Sequence, residues 1–406
     1  MQECLTYKQG YLSMNDTTTL SNAVQQASVS KDPIAAYDQI RQRCPVVHDE
    51  RLHWTLFKHE DVMNVLNDPQ TFSNAVSRHV SVPNGMDQPE HTIYRALIEP
   101  FFNESRMAAF EPVCQEIAAE LVRQSHQNQE FEFISGFAQI YAVRAQCAFL
   151  GWPESLHEPL NQWVRKNHQA TLAQDRQALS EIAVEFDGYI RTLLEERRKA
   201  GTHAPDDLTT ALMLETVNGQ PSSDEAIVSI LRNWTVGELG SIAACLGILV
   251  NYLAKNLKLQ HQLRYKPKLL PAAIDEILRI HPPLIASRRV TTQAVTVAGH
   301  HIEAGERLTL LWASANRDEA VFGKPDEFRN DREPSQNLLY GAGIHACPGA
   351  PLARLELRLI MQELLKGTSR FALGENAAPV HAIYPAGGFD SLPIKLVMET
   401  CCGACS

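Results

Sequence analysis

Apolar residues recur at helical spacing along most of the middle of the chain. From "EHTIYRALIEPFF" to about residue 270 the pattern predicts a largely helical region. "MAAFEPVCQEIAAELVRQS", "FAQIYAVRAQCAFLG" and "QALSEIAVEFDGYIRTLLEERRKAG" each read as one amphipathic helix. The last closes in basic residues and Gly201, a good helix stop. Earlier, "DPIAAYDQIRQRCPVV" predicts a helix opened by Asp-Pro, "WTLFKH" a short strand and "HEDVMNVLND" another helix. Residues 74–90 form a long loop rich in turn residues, of the kind that often carries function. After Pro283 the period shortens, and "RRVTT" and "VTVAGHHIEAGERLTLL" predict strands. An irregular segment, "SANRDEAVFGKPDEFRNDREPS", one more helix and short strands near the C-terminus follow. The expected fold is mainly α with a small β part, alternating too irregularly for a doubly wound sheet. One core domain is expected over 31–398, with a polar, loosely ordered segment at 1–30 and a cysteine-containing tail at 399–406.

Charge narrows the functional classes. The 406 residues carry 37 basic and 47 acidic side chains, a formal charge of −10. That balance argues against a nucleic-acid partner. The N-terminus lacks a basic-then-apolar signal pattern. The longest apolar run, "IAACLGILV", is short of the ~20 residues that a bilayer span needs. A cytoplasmic protein without a membrane anchor is expected. The nine cysteines are scattered and odd in number, as reduced thiols would be. Cys402 and Cys405 make a CxxC pair in the tail beside Cys401, with no second pair to complete a four-thiolate site.

Two stretches carry candidate chemistry. In "YGAGIHACPGA", Gly341, Gly343 and Gly349 permit backbone angles and close approaches that side chains forbid. Cys347 stands just before the helix "PLARLELRLIMQELLKG", where free N–H groups lower a thiol's pKa. Such a thiolate could be a nucleophile with His345 as base, an axial metal ligand, or simply an inert buried cysteine. Residues two apart do not face one another on a regular element, which disfavours the first use. The second stretch is "NWTVGELGSIAACLGILV", an apolar helix that two glycines and a glutamate are expected to break.

The cysteine stretch resembles the haem-binding signature of the cytochrome P450 family, Phe-Gly-x-Gly-x-His-x-Cys-x-Gly. Tyr340 replaces the Phe, and Gly341, Gly343, His345, Cys347 and Gly349 match. The resemblance implies a single fold with haem b (iron protoporphyrin IX) lying between a long central helix and the cysteine loop. It also implies Cys347 as the proximal thiolate that pushes electron density to iron. "AIDEILRIHPPL" is similar to the family's Glu-x-x-Arg motif, here Glu276 and Arg279, followed by Pro282 and Pro283. "ANRDEAVFGKPDEFRNDR" is similar to its meander, with Arg332 as third member of a structural triad. His91 and Arg95, four residues apart on one helix face, and Arg289 and His345 match the residues that hold the haem propionates.

The resemblance is weakest at the central helix. The family's usual acid–alcohol pair is replaced by Leu239 and Gly240, and Glu238 carries a carboxylate one position early, about 100° around the helix. Gly237, Glu238, Gly240 and Ser241 are the candidate catalytic residues there. Val80, Val82, Thr235, Leu284, Ile285, Ala286 and Phe389 fall where the family lines its substrate pocket. The activity implied is a bacterial-type monooxygenase that inserts one oxygen atom from O2 into a small or medium hydrophobic molecule. Electrons would come from a separate ferredoxin or flavin-type protein docking near Arg354 and Arg358. The missing pair keeps a peroxide-driven peroxygenase or another haem-thiolate enzyme as the alternative, and a haem-based sensor as the non-enzymatic one.

Overall fold

The computed structural model describes residues 33–50, 52–77, 81–125 and 129–397. The segment 1–30, the tail 399–406 and Val80 lie outside the described residues. The rest forms two compact units. The first comprises the described residues up to Thr92 with Asp275–Cys347 and Ile383–Gly387. The second comprises Ile93–Ile274, Pro348–Ala382 and the described residues from Gly388.

The second unit is helical, as the apolar spacing predicts. Its helices include Glu104–Gln124, Gln139–Leu150, Arg176–Ala200 and the central helix Asp224–Lys255. Ser223 caps the central helix by accepting from the Ala226 N–H at 3.2 Å. Asp224 and Glu225 in its first turn and Lys255 in its last suit the helix dipole. This helix is long and apolar enough, by length and composition alone, to cross a membrane, but most of its apolar stretch is buried. The expected break is absent: helix runs through Gly237 and Gly240 without interruption. Each glycine costs about 1 kcal/mol against alanine. Burial of Leu231, Leu239, Ile242, Leu246 and Leu249 on the same helix outweighs that cost.

The first unit holds a five-stranded sheet. Its spatial order is Val46–Asp49, His53–Leu56, Arg307–Leu310, Ser287–Thr291 and Phe72–Ser73. Arg307–Leu310 runs parallel to His53–Leu56 and antiparallel to Ser287–Thr291. Leu56, Leu308 and Leu310 pack with Val62 and Leu66 of the helix His59–Leu66 and with Leu338, which leads into the cysteine loop.

Four donors around one buried carboxylate tie the rest of this unit to that loop. Arg279 grips Glu276 through two hydrogen bonds, 2.7 Å from Nε and 2.9 Å from Nη2. Arg332 Nε donates to the same carboxylate at 2.8 Å and the Arg329 N–H at 3.2 Å. The guanidinium groups continue outward to backbone oxygens: Arg279 to Asn316 and Pro325, Arg332 to Phe322, Lys324 and Glu327. The Phe322 ring lies under both cations, 4.7 and 5.8 Å from the ring centroid. Asn316 Oδ1 then accepts from the Leu338 N–H at 2.8 Å, so the triad reaches the loop through one amide. Removing one member leaves the others charged and buried. Glu276→Ala should therefore lower stability by about 3–5 kcal/mol, read from denaturant unfolding.

Candidate functional site

The cysteine loop is two short turns, Leu338–Tyr340 and Gly343–His345, joined by Gly341 and Ala342. Gly341 and Gly343 both have positive φ, 73° and 67°. At Gly343 the requirement is absolute in space as well. A Cβ there would lie 2.2 Å from the Leu66 carbonyl oxygen, at the end of the helix His59–Leu66. The loop is thus pressed against that helix end, and the Cys347 N–H donates back to the Tyr340 carbonyl at 2.8 Å. Cys347 itself is exposed, while Cys114, Cys147 and Cys245 are buried. Burial pushes the Cys114 and Cys147 thiols up to about 12, which leaves them unreactive.

The same unit gathers donors near this loop. The His91 and His345 rings stand 4.3 Å apart, and Asn74 Nδ2 lies 3.4 Å from His345 Nδ1. Asp87 pins Asn74 by accepting from its backbone N–H at 3.0 Å, and lies within electrostatic reach of Arg289. Strand alternation turns Arg289 inward and Arg288 outward. Arg289 donates to neutral oxygens, the Arg288 carbonyl at 2.7 Å and Ser287 Oγ at 3.3 Å. Burial pulls its pKa down to about 10, with Asp87 only partly opposing. A buried guanidinium so poorly neutralised, with two imidazoles and an amide nearby, suits an anionic carboxylate such as a haem propionate. Arg95, in the second unit, donates from Nε to Glu99 Oε1 at 2.8 Å. Asn74 and Asp87 escaped the sequence reading, because nothing in a turn-rich loop marks which polar residue folds inward.

On the central helix, Val236, Gly237, Gly240 and Ser241 lie on an exposed face. Nothing stands within 4 Å of where a Cβ on either glycine would be. Ser241 Oγ lies 3.5 Å from the Glu238 carbonyl oxygen. Leu239 is buried in the core. Glu238 is half-buried, and its carboxyl meets that of Glu356, on the helix Ala350–Gly367. Burial raises the pKa of both acids, that of Glu356 well above the carboxylate range. Thr235 corrects the expected pocket. It is fully buried, bonds the Leu231 carbonyl at 2.8 Å and receives Gln146 Nε2 at 3.4 Å, because its face of the helix packs on Gln139–Leu150. Ile285 and Ala286 likewise sit in a core cluster with Tyr37, Phe57 and Leu311, and Val82 and Phe389 are buried, whereas Leu284 is exposed. Arg354 is exposed, but Arg358 is tied to Glu111 at 2.7 Å.

Comparison with known proteins decides what this assembly is. The family model for cytochrome P450 matches residues 154–373. The chain belongs to the cytochrome P450 family. It is 31% identical to cytochrome P450 109 of Bacillus spizizenii over 90% of this chain and 92% of that protein. It is also 31% identical to the mycinamicin IV hydroxylase/epoxidase of Micromonospora griseorubida, over 79% and 83% of the two chains. Among solved structures, a mutant of P450 EryK in complex with erythromycin B superposes with a TM-score of 0.83 at 25% identity, covering 94% of this chain and 99% of that one. CYP109E1 from Bacillus megaterium, in complex with corticosterone, gives 0.82 at 26% identity, covering 92% and 99%. This P450 is accordingly a haem-dependent monooxygenase, mainly α with a small β part. Its cysteine loop should not tolerate a side chain at Gly343: Gly343→Ala should lower stability by about 1–3 kcal/mol and weaken haem retention, measured by thermal unfolding and by the haem-to-protein ratio after gel filtration.

Proposed function

We propose that this P450 hydroxylates or epoxidises a medium-sized hydrophobic organic molecule at haem b ligated by the Cys347 thiolate. The observation that carries the reading is the glycine-shaped loop that presents Cys347 beside a neighbourhood built for carboxylates. His91, His345 and Arg289 would receive the propionates, while Tyr340, Gly341 and Gly349 would leave the loop room against the ring. When bound, the haem supplies the oxygen-activating chemistry. The chain supplies a ligand, cations for the propionates and an exposed helix face for the substrate. Gly237 and Gly240 leave headroom on that face, and Leu284 offers exposed apolar surface. A bulky substrate suits such headroom, consistent with the erythromycin B and corticosterone held by two of the similar structures.

Electrons would arrive from a separate ferredoxin or flavin-type protein. Arg354 lies exposed on the helix Ala350–Gly367 where such a partner would dock, whereas Arg358 is paired with Glu111. Cys44, Cys114, Cys147, Cys245 and Cys347 form no disulfide among the described residues, which suits a cytoplasmic enzyme. Peroxide-driven turnover is a second reading, favoured by Leu239 and Gly240 standing where the acid–alcohol pair is expected.

The difference spectrum of reduced protein with carbon monoxide tests the thiolate. Wild type should give the thiolate-type Soret band, and Cys347→His should lose it while still binding haem. A wild-type spectrum of the histidine-ligated type would overturn the assignment. Arg289→Ala should raise the rate of haem transfer to apomyoglobin roughly tenfold, the value of one charge-assisted hydrogen bond of about 1.5 kcal/mol. Turnover with ferredoxin and reductase, compared with turnover on peroxide, separates the two oxidants.

A further inference from the structure

Glu356 lies fully buried on the helix Ala350–Gly367, and both its carboxyl oxygens are sealed from solvent. Among the described residues no N–H or hydroxyl donor reaches either oxygen. What meets it is the carboxyl of Glu238 on the central helix. Two carboxylates cannot donate to one another, so the contact is a hydrogen bond only when one of them keeps a proton.

The surroundings strengthen that requirement. From Gln139–Leu150, Tyr141 directs its hydroxyl at the Glu356 backbone carbonyl, 2.9 Å away, and not at the acid. From Glu104–Gln124, the Cys114 thiol meets the Tyr141 hydroxyl at 3.3 Å and adds no charge. Arg358, on the same helix as Glu356, is held by Glu111 at 2.7 Å. No cation therefore pairs with the acids, in contrast to Glu276 in the other unit. The two acids are also unequal. Glu356 is wholly interior, whereas Glu238 is half-buried, with one oxygen sealed and Gly237 and Gly240 open beside it.

We infer that Glu238 and Glu356 share one proton and act as a proton store for oxygen activation, with Glu238 as the exit residue, in place of the absent acid–alcohol pair. This rests on the monooxygenase reading, in which one O2, two electrons and two protons convert R–H to R–OH and water. In the step assigned to the pair, Glu356 passes the shared proton across their hydrogen bond to Glu238, which releases it to a water on the exposed helix face. The doubly negative pair is strongly disfavoured in the interior and regains a proton from solvent water through Glu238. Glu356 is a positioning residue, since it acts only through Glu238.

The test compares wild type, Glu238→Gln and Glu356→Gln as holoenzymes. Infrared spectra of wild type should contain the C=O stretch of a buried protonated carboxyl at neutral pH, changed in both variants. Raised acid pKa values mean that the unfolded chain releases its carboxyl protons first as pH rises. Wild-type stability should therefore fall as pH climbs out of the ordinary carboxylate range, with a shallower fall in Glu356→Gln. Product formed per electron pair consumed should drop at least about tenfold in Glu238→Gln, while its reduced carbon monoxide spectrum stays that of wild type. In Glu356→Gln the pH at which coupling is lost should move. Absence of the infrared band in wild type, or unchanged coupling in Glu238→Gln, overturns the store. If Glu356→Gln fails to fold, Glu238→Gln decides alone. Failure of wild type to turn over with O2 overturns the monooxygenase reading instead, and leaves the infrared result standing.

Discussion

The cysteine loop depends on how the Glu276 carboxylate is neutralised. That carboxylate is buried, and a lone buried charge is costly. Two guanidinium groups and a backbone N–H surround it, and every outward-facing donor of those guanidinium groups finds a backbone oxygen of the irregular segment. A segment with little regular structure thereby gains fixed positions for Asn316, Phe322 and Pro325. Asn316 hands that order to Leu338, and Leu338 enters the core under the sheet. The chain from Leu338 to Cys347 then has one path, pressed past the end of the helix His59–Leu66 where only glycine fits.

Glu356 shows what the same side chain does without such partners. Both acids are buried on helices, but Glu276 has four donors and Glu356 has another acid. One arrangement holds a charge as a brace; the other holds a proton. The difference lies in the neighbours supplied by distant parts of the chain. Glycines divide in the same way. Gly343 is required by a carbonyl oxygen, whereas Gly237 and Gly240 stand in open space and leave the central helix intact.

The motif order made the family legible, because a haem-thiolate loop needs several glycines, a histidine and a cysteine at fixed offsets. Arg289 was legible from its match to the family's strand, and the alternation of the strand Ser287–Thr291 buries it while exposing Arg288. Helical spacing placed most of the long helices, including the basic end and Gly201 stop of Arg176–Ala200. These are local properties, written in neighbouring residues. Thr235 was misread because a helix position near an expected pocket does not reveal which side packs on another helix. Arg95 and Arg358 were read as available cations, and each has a carboxylate close at hand, Glu99 and Glu111.

The sequence by itself determined the class of fold, the glycine-framed cysteine loop and the membership of the Glu276, Arg279 and Arg332 triad. Each rests on residue types at short, fixed spacing. Only the tertiary structure decided that Asn74 and Asp87 join the histidines, that the central helix is continuous, and that Glu238 turns toward Glu356. Those outcomes depend on burial and on contacts between residues far apart in the chain. No local pattern carries that information, because the energy of a buried carboxyl is set by whichever groups the fold brings to it.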